Sequence, residues 1–220
     1  MPLLDHDRFV YILLLREKGM KYAVFVETYE RLAATTKRLE KADILAAFLK
    51  KLEKEEQAEW IYLLRGKVVP DYDTREFGIS EKLAIKAMSS AFGVTGEQII
   101  ERYRNVGDLG DIGAELAEKR AQRTLGNKQL DVKKVFETLR KILEVSGKGA
   151  VERKIGLVAE LLGAATPRET RYIIRTTLQD LRVGVADALL VDALSHAYYE
   201  GNEEMRERLT VAYDLANDAA

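Results

Sequence analysis

The chain has 220 residues, 47% hydrophobic and 32% charged, enough to build a sizeable core in one large domain or two small ones. It contains no cysteine and only two histidines, His6 and His196, which excludes disulfides, structural zinc and most histidine chemistry. The formal net charge of −1 argues against a uniformly basic nucleic-acid binder. The longest apolar run, Phe9 to Leu15, is too short to span a membrane and no small-residue cleavage site follows it, so the sequence reads as intracellular, in the cytoplasm.

In chain order, residues 5–17 read as a short helix. Gly19-Met20 then opens a second from Lys21, and Met20 is a candidate start that leaves 1–19 as an N-terminal extension. Apolar residues at helical spacing mark Tyr22–Ala33, Leu39–Leu52 and the stretch around Trp60–Leu64. Pro70-Asp71-Tyr72-Asp73 is a loop, and Gly78 closes it before a helix through Phe92. Thr95-Gly96-Glu97-Gln98 fits a capping box opening a helix to Tyr103. Gly107-Asp108-Leu109-Gly110 starts the next helix, which Gly126-Asn127 breaks. Asp131 can cap a helix through Val145, ended by Gly147-Lys148-Gly149. Thr166-Pro167-Arg168-Glu169 is the clearest start, with a cap, a proline at the first helical position and Glu three after the cap. Arg182-Val183-Gly184 begins a helix to Tyr199, and Asn202 caps the last. With no competing strand pattern, about twelve short helices predict an all-α fold.

The pattern repeats. Val26-Glu27-Thr28 returns as Phe136-Glu137-Thr138, Lys41 with Ile44-Leu45 as Lys154 with Leu157-Val158, Trp60-Ile61-Tyr62 as Tyr172-Ile173-Ile174, and Phe77-Gly78-Ile79 as Val183-Gly184-Val185. Two copies of one helical unit, 22–92 and 133–199, are therefore expected. A glycine leading into a helix leaves backbone amides open as anion ligands, so the two glycine starts imply two phosphate grips. Charge is uneven as well: Lys119 to Lys154 holds eleven Lys and Arg against four acids. That stripe suits a phosphate footprint, and equally a solvated helix face; duplication also suits a helical scaffold for proteins.

No catalytic residue emerges. Gly147-Lys148-Gly149 lacks the spacing of a nucleotide-binding loop. Ser89, Ser90 and Ser195 lack a Ser-His-Asp partner set, and His196 reads as an edge-of-core residue. Asp71, Asp73, Asp108 and Asp111 read as turn or cap residues before magnesium ligands. Polyanion contact is better supported: Gly78, Gly107, Gly110 and Gly184 stand at helix entries, near Lys82, Lys148, Arg153, Lys154, Arg175 and Arg182.

The runs Gly107-Asp108-Leu109-Gly110, Val135-Phe136-Glu137-Thr138-Leu139, Arg153-Lys154-Ile155, Tyr172-Ile173-Ile174-Arg175-Thr176 and Leu181-Arg182-Val183-Gly184-Val185-Ala186 resemble the N-terminal DNA-binding domain of ATP-dependent DNA ligases, archaeal ones above all. Thr35-Thr36-Lys37-Arg38 and Phe77-Gly78-Ile79-Ser80-Glu81-Lys82 fit the same pattern, so the resemblance covers 20–220. It implies two pseudo-symmetric α-helical halves gripping duplex DNA at a nick, through phosphates and the minor groove. On matching positions it implies DNA contacts at Thr36, Arg38, Gly78, Ser80, Lys82, Gly107, Gly110, Lys148, Lys154, Arg182 and Gly184. Two departures matter. The Lys-x-Asp-Gly adenylation motif and the length for adenylation and OB-fold domains are absent, so no ligation activity is expected of this chain. No cofactor is expected on it either; ATP and Mg would belong to a parent ligase, whose catalytic domains would be partners. Archaeal relatives can dock a sliding clamp near Gln122-Arg123-Thr124-Leu125-Gly126-Asn127, but here no aromatic pair follows Leu125.

Overall fold

The computed structural model describes residues 19–52, 58–121 and 130–216. The expected helix at 5–17 and the loop at 122–127 lie outside them. Among the described residues the regular structure is helical, as ten α-helices and one 3-10 helix. They are α1 (Tyr22–Ala33), α2 (Arg38–Leu52), the 3-10 helix (Ala58–Arg65), α3 (Glu81–Phe92), α4 (Gly96–Val106), α5 (Leu109–Ala121), α6 (Val132–Glu144), α7 (Ala150–Ala164), α8 (Pro167–Thr177), α9 (Asp187–Tyr198) and α10 (Glu203–Ala216). No helix among them is long and apolar enough to cross a membrane.

Both expected capping boxes form. Thr95 Oγ1 accepts from the Gln98 N–H and Thr166 Oγ1 from the Glu169 N–H, each at 3.3 Å, and the Gln98 and Glu169 side chains bond back to the cap N–H. Asn202 caps α10 through the Met205 N–H at 3.1 Å. Asp131 stands at the N-cap of α6 but makes no capping bond, because an ion pair with Lys21 takes its carboxylate. Around Trp60 the chain winds as a 3-10 helix in which Trp60, Ile61, Tyr62, Leu63 and Leu64 are all buried. Five consecutive apolar residues leave no polar face for solvent, so the segment sits inside the domain rather than over it.

The stretches 22–92 and 133–199 interleave. α2 packs on α9 and α3 on α7, so two helices of the first stretch each lie on a helix of the second. Where α1 and α6 begin, the chains cross in an antiparallel bridge: the Tyr22 N–H donates to Leu130 O at 2.8 Å and the Val132 N–H to Met20 O at 2.9 Å. In the second turn of each helix, the Thr28 and Thr138 hydroxyls bond back to Val24 O and Lys134 O, at 2.8 and 2.7 Å. Thr28 and Thr138 are the positions the sequence repeat pairs. The core runs through this crossing, with the Phe25 and Phe48 rings edge to face at 4.6 Å and Tyr29 against Tyr172 at 5.0 Å. The buried Tyr29 hydroxyl donates to Leu63 O at 2.7 Å and so fastens the 3-10 helix to the core.

α5 packs on α8, and glycine lets the two helices approach closely. A Cβ on Gly113 would collide with the buried Ile174 side chain, and one on Gly110 would lie 2.8 Å from the main-chain oxygen of Arg171.

One expected boundary is corrected. Arg182-Val183-Gly184 does not begin a helix: Arg182 and Gly184 hold φ of +58° and +66°, a left-handed turn, and α9 starts at Asp187. Gly78 does the same before α3, with φ +62° and the helix starting at Glu81. Each glycine therefore shapes a loop just ahead of its helix instead of forming the helix's first turn.

Candidate nucleic-acid interface

The two glycine loops are built alike from opposite ends of the chain. In the first, Lys154 on α7 donates its ammonium to Phe77 O at 2.7 Å, just before Gly78. In the second, Lys41 on α2 donates to Val183 O at 2.8 Å, just before Gly184. Both glycines are exposed, and no group among the described residues accepts their N–H. The helices that follow also start open: Ser80 caps α3 and Ala186 caps α9 without a side-chain hydrogen bond. First-turn amides left in this state are anion ligands by geometry, although Glu81 and Asp187 stand beside them and oppose an anion.

Beside the first loop lies a cleft of about 220 Å³, lined by Ser80, Tyr103, Gly107, Asp108, Arg175 and Arg182 among others. Asp108 is its organising residue. Its side chain is 7% exposed and accepts the Asp111 N–H at 3.0 Å, which caps α5. It also pairs with Arg175 at 3.0 Å and Arg182 at 2.8 Å. Burial pushes this carboxyl up, but the Asp111 N–H and the two guanidinium groups outweigh it and hold it below the usual carboxylate range. Arg182 pairs with Asp180 as well, at 2.6 Å, so two carboxylates fix a half-exposed guanidinium in its left-handed turn.

Asp192 on α9 does the same work elsewhere. It is 13% exposed and pairs with Arg38 at the start of α2 and Arg206 on α10, both at 2.7 Å. Burial raises its carboxyl, and the bonds from Arg206 and Arg38 bring it below its ordinary value. A third hub, Asp71, takes Arg65, Lys67 and the Tyr213 hydroxyl, the last at 2.8 Å, and moors α10.

The structure thus gathers Ser80, Gly107, Gly110 and Arg182 at one cleft and sets Gly78 over Lys154. Gly184 forms the matching loop over Lys41, and Arg38 is held by α9. Lys82 is exposed in the first turn of α3, and Lys148 is exposed between Gly147 and Gly149, which have φ of +78° and +74°. Thr36 is exposed between α1 and α2, and no described contact ties it or Lys148 to the cleft. Two of the glycines have work inside the protein. Gly107 closes α4 as a left-handed C-cap, its N–H on Tyr103 O at 2.8 Å. Gly110 is buried against α8, where its missing side chain serves packing.

The basic stripe is less of a stripe than its sequence. Arg120 donates to Leu162 O and Ala165 O, Arg140 to Val68 O and Glu59, Lys134 to Glu160 and Arg153 to Ser146 O. Arg120, Arg140 and Lys134 tie their helices to neighbouring elements, and Arg153 holds the loop ahead of its own helix. The residues that sequence reasoning missed are Asp108 and Asp192 as hubs, and Lys41, visible in the sequence only as the repeat partner of Lys154.

Among the described residues, fold and loops together define an all-helical domain that displays glycine loops and carboxylate-held arginines. Residues 21–195 match the family model described as the DNA ligase N terminus, and the chain belongs to that family. Among its relatives are DNA ligases of Thermococcus onnurineus and Methanosphaera stadtmanae, each 40% identical over 90% of this chain, and of Nitrosopumilus maritimus, 35% identical over 90%. The chain spans about a third of the length of these relatives, 34–35%.

Proposed function

We propose that this chain is a non-catalytic, DNA-binding part of a DNA ligase, gripping nicked duplex DNA through phosphates and the minor groove so that catalytic domains can seal the nick in replication and repair. The observation that carries the reading is the pair of exposed left-handed glycine loops at Gly78 and Gly184, each leading into a helix without a side-chain cap, in a chain of the ligase N-terminal family. Two such loops fit two stretches of backbone without reading base sequence. Residues 20–220 then act as one binding unit with two copies of a helical module, and Arg38, Ser80, Lys82, Lys148 and Arg182 supply the cations and hydroxyls around the loops. ATP, Mg and adenylate transfer belong to the remaining length of the parent ligase, and Gln122–Asn127 is the segment through which a sliding clamp would dock.

Fluorescence anisotropy of the chain against nicked and intact duplexes, titrated at several salt concentrations, tests this. The expected result is an affinity falling linearly in log salt, with a slope of about −0.9 per phosphate contacted. A gap between the two duplexes measures how much nick recognition resides here. Absence of binding at low salt overturns the reading in favour of a helical protein scaffold.

A further inference from the structure

We propose that Lys41 and Lys154 are matched positioning residues, each locking the glycine loop carried by the opposite half of the fold. The inference rests on the DNA-binding reading above and adds to it the device that sets both loops.

Lys41 lies on α2 and Lys154 on α7, the helices that pack on α9 and α3. Each ammonium reaches the loop that leads into the helix its own helix lies on. It bonds the carbonyl immediately before the glycine, Val183 O for Lys41 and Phe77 O for Lys154, at 2.8 and 2.7 Å. The correspondence continues to the glycines: a Cβ on Gly184 would lie 2.7 Å from Lys41 Nζ, and one on Gly78 3.3 Å from Lys154 Nζ. Each ammonium therefore sits directly beneath a left-handed glycine, and both lysines are only partly exposed.

Three physical consequences follow. A glycine peptide populates positive and negative φ about equally, so an unsecured loop spends much of its time with its amide aimed elsewhere; a charge-assisted bond to the preceding carbonyl holds one arrangement. An ammonium has three donors and the carbonyl takes one, so positive charge remains beneath the amide that would meet a phosphate. And because each lock crosses between halves, the distance between the two loops is set by α2 on α9 and α3 on α7, not by the loops themselves.

The test is a double-mutant cycle on intact-duplex affinity at fixed low salt, with thermal unfolding of every variant followed alongside. Lys41→Met and Lys154→Met keep the apolar stem and delete the donor. Each is expected to weaken binding by about tenfold, the size of one charge-assisted hydrogen bond. Lys41→Met with Lys154→Met should multiply to about a hundredfold, since they hold separate loops, whereas Lys41→Met with Gly184→Ala should be little weaker than either alone, since both release the same loop. A residue that merely stabilised the fold would lower the unfolding temperature and leave this pattern of coupling absent. If folded Lys→Met variants bind as tightly as the parent chain, or if Lys41→Met and Gly184→Ala multiply, the lock is overturned. Failure of the parent chain to bind overturns the DNA reading instead. Should Lys41→Met not fold, Lys154→Met with Gly78→Ala runs the same cycle in the other half.

Discussion

Gly110→Ala separates a packing glycine from a DNA-contacting one. The added Cβ would lie 2.8 Å from Arg171 O, 2.9 Å from Asp108 Oδ1 and 3.0 Å from Arg175 Cγ. The first neighbour is helix backbone and cannot rotate aside, so α5 and α8 must part. The others belong to the ion-pair cluster that holds Arg182 and cannot move without disturbing it. Overpacking of this kind costs about 1–3 kcal/mol. Alanine returns at most about 1 kcal/mol of helix propensity, less in a first turn. The steric term wins, by about 1–2 kcal/mol. For a domain of this size each kcal/mol lowers the unfolding temperature by about 2–4 °C, so circular dichroism should show a drop of about 2–8 °C. Gly107→Ala is the control: its Cβ meets nothing within 4 Å, but φ is +72°, so backbone strain of about 1–2 kcal/mol is its only cost. An unchanged unfolding temperature for Gly110→Ala together with weakened duplex binding would refute the packing argument and return Gly110 to the interface.

Arg182→Ala should weaken duplex binding and reduce the salt slope by about 0.9, with little change in unfolding temperature because Arg175 and the Asp111 N–H still hold the buried Asp108 carboxylate; an unaltered slope would remove Arg182 from the phosphate contacts. Tyr213→Phe deletes the bonds to Asp71 and from Arg65, about 1–2 kcal/mol, and limited proteolysis should cut α10 sooner while the rest of the domain survives; parent-like digestion would show that the mooring is idle. Asp192→Asn adds net positive charge yet should weaken duplex binding by about threefold or more, because Arg38 and Arg206 lose the carboxylate that aims them. Asp71, Asp108 and Asp192 all titrate below their ordinary value when folded, so their stabilisation is complete above the unfolded carboxylate value of about 3.9 and is lost as pH falls through the lower folded values; unfolding temperature should hold from about pH 7 to 5 and fall below about pH 4, and a fall already near pH 6 would contradict the assignment.

Helices whose signals are local could be read from the sequence. Thr95 with Gln98 and Thr166 with Glu169 each carry a complete cap within four residues, and both boxes form. Periodicity placed α1 to its exact ends, since Phe25, Val26, Tyr29 and Leu32 all face the core. The start of α9 was misread because the apolar run from Val183 to Leu190 looks helical. What bends it is a left-handed turn at Arg182, held by Asp108, which lies 74 residues away in sequence. Asp131 failed as a cap for the same reason: its partner is Lys21, 110 residues upstream. The acids at 71 and 108 were read as turn or cap residues, and Asp108 does cap α5. Its second role, and that of Asp192, depends on arginines delivered by distant helices, which no local pattern announces. Gly110-x-x-Gly113 did carry a signal, two small residues one helical turn apart, for the close approach of α5 and α8.

Net charge is the other property that misleads when it is summed along the chain. A total of −1 counts every carboxylate as though it met solvent. The fold does not treat them equally: Asp71, Asp108 and Asp192 have side chains only 14%, 7% and 13% exposed, while Arg38 and Arg182, which they help to hold, are 58% and 48% exposed. At two of these hubs an inward carboxylate lies beneath a more exposed guanidinium, Arg182 over Asp108 and Arg38 over Asp192, while further acids, Asp111 and Asp180 at the first and Glu203 at the second, pair with the arginines of the same cluster. A polyanion approaching such a unit meets an oriented guanidinium whose conformational freedom has already been restricted, so little further ordering is needed on contact. That is why Asp192→Asn separates the two views of charge. If the total governs binding, removing an acid must strengthen it; if orientation governs, the added positive charge comes with an arginine that no longer points anywhere in particular, and binding weakens.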